Sequence, residues 1–453
     1  MTATRFRLQL RLLQVIVPIA ITLFAGCSKK HPSNQENGHS APVPVLPRKN
    51  YDIAKLFSGV TLKSSVDCTP YQGTALEAVS DSNSYGMDIT LHVRWPAAAT
   101  NLHELQAATP ELPGLLPALP SLLSNAVPSP DFEELLNRKE RSLRNNLGQL
   151  QRLPYRDSLF DCQTILELRN PPDSRHALLV QAIMNVNTDG SDGDRNLTTD
   201  RSSSTFQPQT NYRWPKKTDR PNPCLREEIS QLALTEAELG SGTMTSMEKS
   251  SLEARSEAAK ATIIELKRWS FLVGTADPFI VLPSFMVGKK AGQPGIGDYA
   301  VVIANGILYP AILGDLGPNS KIGEASLRIC REIESQSDAD RRPVSRPGVV
   351  YLIFPGTAER PFTAPDYAHW SERCHALWKE FGGSDTAPWH EWSSLEKPWP
   401  TPTPTPLSNP LRTPTSSSSS SESPSATNSP SATNPASDPT RATSSLPSST
   451  PSL

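Results

Sequence analysis

The sequence predicts an α+β protein, and three of its features support this prediction. Short apolar runs rich in Val and Ile lie on both sides of an Asn-Gly pair, which is typical of a β-hairpin. Elsewhere, Leu and Phe recur at the spacing of amphipathic helices. Proline and polar residues dominate near both ends of the chain, and such segments bury too little apolar surface to fold. We therefore expect strands and helices in the middle of the chain and disordered termini.

The composition narrows the possible functions. The 453 residues are enough for two domains, but only 37% are hydrophobic and 44 are proline, so part of the length should remain unpacked. A formal net charge of −2 argues against a nucleic-acid partner bound by bulk electrostatics. The sequence lacks C-x-x-C, H-E-x-x-H, G-x-S-x-G and Walker motifs, and we expect no metal and no cofactor.

Residues 1–27 have the pattern of a lipoprotein signal peptide. A basic start is followed by the apolar run Leu12–Phe24, and the sequence Phe24-Ala25-Gly26-Cys27 then resembles a bacterial lipobox. Acylation of Cys27 would anchor the protein to a membrane surface without a spanning helix. The alternative is an ordinary cleaved signal peptide. The two interpretations predict an extracytoplasmic protein, either anchored to the outer membrane or cell surface or secreted.

The region before the predicted hairpin carries no recognisable activity. Residues 28–50 are rich in proline and polar side chains and predict a flexible spacer. Residues 51–158 form an N-terminal region of unknown role, with a strand predicted at Met87–Trp95 and a helix predicted at Asp131–Leu150. The apolar stripe of that helix favours core packing over a partner-binding groove.

The cysteine count predicts a free thiol. If Cys27 is acylated, five cysteines remain in an oxidising compartment, and an odd number leaves at least one without a partner. These five are Cys68, Cys162, Cys224, Cys330 and Cys374.

The hairpin predicted around Asn305-Gly306 leads to two carboxylates. Its strands are Ala300–Ala304 and Ile307–Leu313; Asp315 follows the second strand, and Glu324 opens a helix predicted at Glu324–Ile333. Two carboxylates held at the ends of rigid elements suit a general acid that faces a general base. The alternative is that Asp315 is only a turn residue and that Glu324 only stabilises the first turn of a helix.

The residues around these carboxylates resemble a known family. Gly314-Asp315-Leu316-Gly317-Pro318 and Ile322-Gly323-Glu324-Ala325-Ser326 resemble the G-D-x-G-P and I-G-E-A-S signature of family 75 glycoside hydrolases, the fungal-type chitosanases. The resemblance spans roughly residues 159–360. It implies an antiparallel β-barrel-like core, chitosan or a related amino-polysaccharide as partner, and an inverting, endo-acting mechanism. It also implies that Asp315 and Glu324 are the catalytic pair.

An acidic loop precedes the pair in the chain. Strands are predicted at Thr164–Leu168 and Ala177–Val186, and the second strand runs into the loop that contains Asp189, Asp192 and Asp194. Because chitosan is a polycation, we expect these three carboxylates to bind its ammonium groups. Two alternatives remain open. The loop begins like a calcium loop but lacks the carboxylate at its twelfth position, and it can also be a merely solvated turn.

The loop also departs from the family pattern. Asn185 and Asn187 stand where relatives usually have aspartate, so this chain has fewer negative charges beside the expected cleft. The change is compatible with a more acetylated substrate or with a weakened enzyme. It also supports an alternative function, in which a non-catalytic cell-surface lipoprotein binds polysaccharide on a degenerate hydrolase scaffold.

The remaining boundaries follow from composition and spacing. The chitosanase-like catalytic domain is predicted at 159–395, with a helical insertion at 222–270 made of Leu225–Gly240 and Met247–Trp269. This insertion is either a surface elaboration or a cleft wall. The Trp and His residues after position 368 either stack on sugar rings or cap the core. Residues 396–453 are a disordered tail rich in Pro, Ser and Thr.

Overall fold

The computed structural model describes residues 60–61, 68, 72–86, 88–169, 176–242, 244–288 and 292–399. The signal peptide with Cys27, the spacer 28–50 and the tail from residue 400 onward lie outside the described residues. The predictions made for them therefore stay predictions. In the part of the chain that is described, no helix is both long and apolar enough to span a membrane.

The described residues form ten helices and ten strands. The helices are α1 (Ala75–Ser80), α2 (Leu102–Ala108), α3 (Leu112–Leu115), α4 (Leu119–Leu123), α5 (Pro130–Gly148), α6 (Arg156–Leu159), α7 (Leu225–Gly240), α8 (Ser246–Arg268), α9 (Leu327–Ile333) and α10 (Tyr367–Glu380). The strands are β1 (Val127–Pro128), β2 (Cys162–Arg169), β3 (His176–Asn187), β4 (Arg213–Pro215), β5 (Trp269–Phe271), β6 (Phe279–Pro283), β7 (Tyr299–Ala304), β8 (Ile307–Gly317), β9 (Glu324–Ser326) and β10 (Val344–Ile353).

Six of the strands close into a barrel. Their order is β3-β10-β7-β8-β6-β9, and β9 pairs back onto β3; β2 and β1 extend the sheet beyond β3. The α+β class is confirmed, but the expectation of an antiparallel barrel is wrong in part. The pairs β6–β8 and β3–β9 are parallel. Neither pair is joined by a hairpin, which would force the strands to be antiparallel: β6 is separated from β8 by β7, and β3 is far from β9 in the chain.

The predicted hairpin is present, and its turn has the expected geometry. Strands β7 and β8 are antiparallel, and Asn305 and Gly306 between them have φ values of 52° and 76°. Such positive values are what a two-residue hairpin turn requires. However, β8 continues to Gly317, so Asp315 lies within the strand and not after it.

Two other secondary-structure predictions are wrong. No strand forms in the described residues of the segment Met87–Trp95, which are 88–95. The helix predicted at Glu324–Ile333 begins only at Leu327, where the Ser326 side chain accepts a hydrogen bond from the backbone N–H of Ile329 (3.5 Å). The three residues before it form β9, because their backbone pairs with β3 and β6. Glu324 therefore lies on a strand.

The barrel wall separates two apolar clusters. One cluster joins residues of alternate strand positions to α2–α4 and α10, through side chains such as Leu105, Leu119 and Trp378. The other joins the remaining strand positions to α5 through Phe132 and Leu135. Helices α2–α5 thus pack directly on the sheet, while the boundary predicted between the two regions stays a prediction.

The helical insertion and the free thiol are observed. Helices α7 and α8 form the predicted antiparallel pair, except that Trp269 begins β5 instead of ending α8. The described part of the chain contains five free cysteines, of which Cys68 is exposed and the other four are buried. The prediction of at least one free thiol is confirmed.

Candidate active site

A β-bulge places the Asp315 side chain. Leu313 pairs with Ile280 and Asp315 pairs with Val281, so Gly314 is an additional residue in β8. The bulge turns Asp315 to the same side of the sheet as Val281. Only glycine fits at position 314, because a Cβ there would lie 2.7 Å from side-chain atoms of both Leu272 and Phe279.

Glu324 lies on the opposite side of the same Val281. This valine on β6 pairs with Asp315 on β8 and with Glu324 on β9, so the three residues lie in one row across the sheet. With neighbouring strands about 4.8 Å apart, the Cα atoms of the two acidic residues are about 9.5 Å apart. Strand β6 therefore lies between the two acidic residues, which still lie on the same face of the sheet.

The Glu324 side chain leans across β6 towards β8. Its Oε2 atom lies 3.2 Å from the position that a Cβ would occupy at Gly317. Gly317 is two residues beyond Asp315, and residues two apart on a strand lie about 7 Å apart on one face. The missing side chain at Gly317 thus leaves room for the Glu324 carboxylate on the face that carries Asp315.

The backbone that precedes Glu324 is fixed by a second glycine. Gly323 has φ 73°, and a Cβ at this position would overlap the carbonyl oxygen of Ile183. The carbonyl oxygen of Gly323 accepts a hydrogen bond from the N–H of Asn185 (2.7 Å). This contact joins the strand of Glu324 to β3.

Asn187 connects Glu324 with the acidic loop. Its amide Nδ2 donates to Glu324 Oε1 (3.3 Å) and to Asp189 Oδ2 (2.9 Å), and its Oδ1 accepts from the backbone N–H of Asp189 (3.0 Å). Asp189 therefore lies beside the carboxylate pair. The sequence marked Asn187 as a departure from the family pattern, but it gave no indication of this bridging role.

Asn211 holds Asp315 from the other side. The N–H of Asn211 donates to Asp315 Oδ1 (3.0 Å), and the side-chain oxygen of Asn211 accepts from the N–H of Leu316 (3.1 Å). The two bonds lock a loop from outside the predicted motifs onto β8. Sequence reasoning missed Asn211, because it lies about a hundred residues from Asp315 in a loop without a recognisable motif.

The three carboxyl groups all hold their protons more tightly than usual. Burial raises the pKa of Asp315 well above its ordinary value, and the nearby charges of Asp189 and Glu324 raise it further. Burial also raises the pKa of Glu324 to about 7, although the charge of Lys321 opposes the change. The pKa of Asp189 is raised by burial to about 6, against hydrogen bonds from Gln207 and Asn187. The cluster therefore retains protons in mildly acidic to neutral solution.

The other two predicted loop carboxylates lie away from this pair. The Asp192 side chain is fully buried and forms an ion pair with Arg195, which also binds Asp277 through both oxygens (2.8 Å each). The Asp194 carboxylate accepts hydrogen bonds from the backbone N–H groups of Lys217 (2.8 Å) and Thr218 (2.9 Å). Burial alone would raise the pKa of Asp194, but its hydrogen bonds outweigh burial and lower it. Both side chains hold the loop in place, and their predicted contact with substrate stays a prediction.

The calcium alternative gains no support from the geometry. In the described ranges, no group of three or more His, Cys, Asp or Glu side chains is arranged to hold a metal ion. The side-chain oxygen of Asn187, a ligand in that interpretation, accepts the N–H of Asp189 instead.

The aromatic residues near the end of the described chain mainly contact the protein. Trp392 donates its indole N–H to the carbonyl oxygen of Pro310 (2.7 Å), and His375 stacks on Trp389 with ring centres 3.8 Å apart. Trp389 also forms a backbone bridge to Leu308 on β8. Of the two interpretations left open, these contacts favour capping of the core.

Comparison with known protein families gives a match for part of the chain. Residues 184–382 match the family of fungal chitosanases of glycosyl hydrolase group 75. This part of the chain is therefore similar to group 75 glycoside hydrolases. It contains Asp315, Glu324, five complete barrel strands and the last four residues of β3, and the resemblance proposed from the two signature segments is confirmed. A search of curated proteins found no match.

The group 75 match also supports the predicted enzyme class. The matched family supports glycoside hydrolase activity, and it implies an amino-polysaccharide as the substrate class. The matched segment begins only after helices α1–α6. It therefore excludes Lys139 on α5 and Asp161, which lies just before β2.

Proposed function

We propose that this glycoside hydrolase cleaves internal β-1,4 links of chitosan or partly acetylated chitin with inversion of the anomeric carbon. One observation supports this proposal most strongly. Asp315 and Glu324 flank the same residue, Val281, and lie on one face of the sheet with raised pKa values. Such a pair retains a proton near neutral pH, so it can supply one carboxylic acid and one carboxylate.

The spacing of the pair suits inversion. In an inverting enzyme the acid protonates the leaving glycosidic oxygen, while the carboxylate activates a water on the other side of the sugar ring. This arrangement needs carboxyl groups about 6.5–9.5 Å apart, whereas a retaining enzyme needs about 5–5.5 Å. Asp315 and Glu324 lie two strand spacings apart, on either side of β6, which leaves room for the larger separation between their carboxyl groups.

The charges near the pair suggest which polymer is preferred. Asp189 supplies a third carboxylate beside Glu324, and we expect it to attract a glucosamine ammonium group. Asn187 has no charge, so this part of the site carries less negative charge than the family pattern would give it. We therefore expect partly acetylated chitosan to be a better substrate than fully deacetylated chitosan.

The central experiment measures release of reducing sugar from chitosan by the purified protein. Asp315→Asn and Glu324→Gln should each lower kcat by about 10³-fold or more, because each removes a proton donor or acceptor while preserving shape. The exposed Asp340→Asn is the matched control and should retain wild-type kcat. Full activity in either site variant would disprove the assignment.

The experiment also tests the alternative function. Asn185 and Asn187 favour a protein that binds polysaccharide without cleaving it. Retention on chitosan beads without any release of reducing sugar by the wild-type protein would support that alternative.

We also propose that the protein is exported and anchored through Cys27. The support is the basic and apolar leader followed by the lipobox-like sequence. In cells, Cys27→Ser should move the protein from the membrane fraction to the soluble fraction, and wild-type protein should incorporate labelled fatty acid. Cys68→Ser, which changes an exposed cysteine, is the control. A Cys27→Ser protein that remains in the membrane fraction would contradict lipid anchoring.

A further inference from the structure

A buried ion pair lies next to the segment that leads to Glu324. Lys139 on α5 and Asp161 before β2 have side chains that are 3% and 1% exposed, and Lys139 Nζ lies 2.8 Å from Asp161 Oδ2. Lys139 Nζ also donates to the carbonyl oxygen of Ser158 (3.1 Å). Lys139 occupies the buried face of α5 between Leu135 and Leu143, where an apolar residue would be expected.

Asp161 is hydrogen-bonded to the backbone of two segments: the residues just before β9, the strand of Glu324, and the neighbouring strand β3. Asp161 Oδ2 accepts the N–H of Ile322 (3.3 Å), two residues before Glu324. The carbonyl oxygen of Asp161 accepts the N–H of Ile183 on β3 (2.9 Å). With the bond from Asn185 to Gly323 and the bond from Asn187 to Glu324, each of three consecutive residues, 322–324, is bonded to another part of the chain.

The pair is not explained by stability alone. Burying two charges costs free energy that an apolar pair of similar volume would not cost. Asp161 Oδ1 is buried and has no hydrogen-bond partner, and burial raises the pKa of Asp161 to about 6 even with the lysine beside it. A cavity of ≈390 Å³, lined in part by Lys139, Ser320 and Lys321, adjoins the same segment. Packing around residues 320–321 is therefore incomplete. The position of this segment depends more strongly on the hydrogen bond from the Ile322 N–H to Asp161.

We propose that Lys139 and Asp161 are positioning residues for Glu324. Lys139 keeps the Asp161 carboxylate in place, and Asp161 fixes the Ile322 N–H, which sets where Glu324 stands relative to Asp315. The inference rests on the proposed catalytic role of Glu324. Lys139 belongs to the predicted N-terminal region 51–158, which precedes the matched segment 184–382, so this region also contributes to catalysis.

Two double variants separate positioning from stability. Lys139→Met with Asp161→Leu removes both charges and the acceptor for Ile322. Lys139→Met with Asp161→Asn removes both charges but keeps a side-chain oxygen as acceptor. Neither leaves a lone buried charge, so both should fold. The exposed ion pair Arg144–Glu140 on the same helix supplies the control Arg144→Met.

Activity on chitosan and amide hydrogen exchange of the peptide covering 318–326 are measured on the full-length proteins. The Met/Leu variant should exchange faster in this peptide and lose about 10-fold to 100-fold in kcat, with KM within about twofold, because a small displacement of a reacting group is enough for such a loss. The Met/Asn variant should keep kcat within about threefold of wild type and exchange slowly, as should Arg144→Met.

The outcomes are distinguishable from failure of the proposed function. Equal kcat in the two double variants, or faster exchange throughout the protein in proportion to the loss of kcat, would overturn the positioning role. Wild-type kcat in Glu324→Gln would instead remove the catalytic assignment. In that case the exchange of 318–326 decides separately whether the ion pair fixes this segment.

Discussion

Two groups of buried carboxylates each include one residue of the acidic loop, Asp189 or Asp192, but have opposite surroundings. Asp192 and Asp277 face a guanidinium, and both carboxylates are fully buried against Arg195. Asp189 lies beside Glu324 and contributes to the raised pKa of Asp315, and these groups face one another. The hydrogen bonds that they receive come from amide groups of the backbone and of Asn187.

The difference shows how burial should be interpreted. When a buried carboxylate pairs with a cation, the cost of burying its charge is offset, and the ion pair fixes loops relative to each other. Buried carboxylates that face each other raise one another's pKa, which costs stability but produces an acid and a base from identical chemistry. We therefore infer a structural role for the Arg195 group, which consists of Arg195, Asp192 and Asp277. For the Asp315–Glu324 group we infer a catalytic role.

The largest effect on stability should come from breaking the compensated group. Arg195→Met leaves Asp192 and Asp277 buried without their cation and should lower the free energy of unfolding by about 3–5 kcal/mol. Burial alone would lower the pKa of Arg195, but the two carboxylates raise it instead, which indicates strong coupling. Urea denaturation at neutral pH measures the effect.

The matched control is another arginine of the same region. Arg201 pairs with Glu227 at the surface, where its side chain is 35% exposed. Arg201→Met should cost less than about 1 kcal/mol. If the two variants lose similar stability, the Arg195 group does not have the structural role inferred here.

The opposite result is expected when the uncompensated group is changed. Glu324 has a pKa of about 7 in the folded protein and about 4.5 in an unfolded chain, so the folded state holds a proton that the unfolded state releases. Stability of the wild type should consequently fall as the pH rises from about 4.5 to about 7, and then level off. Glu324→Gln does not titrate, so it should be more stable than wild type by roughly 3 kcal/mol at pH 8 and equal to it near pH 4.

This pH-dependent gain distinguishes the site from the core. It is measured as the difference in unfolding free energy between Glu324→Gln and wild type at several pH values. Asp340→Asn, at an exposed carboxylate, should show no such difference. A Glu324→Gln protein that is destabilised at pH 8 would indicate that the carboxylate contributes to packing or to an ion pair.

Local sequence patterns predicted much of this molecule. The Asn305-Gly306 turn and the helical pair of the insertion depend on neighbouring residues, so their signals are complete within short segments. The signature around Asp315 and Glu324 likewise carries its own glycines, and Gly314 and Gly323 prove to be sterically required.

The remaining features depend on pairing between distant segments. The parallel pairing of β6 with β8 is set by where β6 inserts in the barrel, which no local pattern encodes. Asn211 meets Asp315 across 104 positions, and Lys139 meets Asp161 across 22. For Lys139 a signal did exist, because a lysine interrupts the apolar stripe of α5.

The smallest and most specific effect concerns Asp189. If its carboxylate binds glucosamine, Asp189→Asn should raise KM for chitosan several-fold and leave KM for neutral chitin oligomers nearly unchanged.

The charge of Asp189 also raises the pKa values of Asp315 and Glu324, so the same variant should move the alkaline limb of the kcat profile to lower pH. Asp194→Asn is the control from the same loop, because that carboxylate binds the backbone of Lys217 and Thr218 and not the Asn187–Glu324 group, so it should affect stability instead of KM. Equal changes of KM on both polymers would refute charge recognition, and a melting temperature that rises with calcium in wild type but not in Asp189→Asn would indicate a metal ligand.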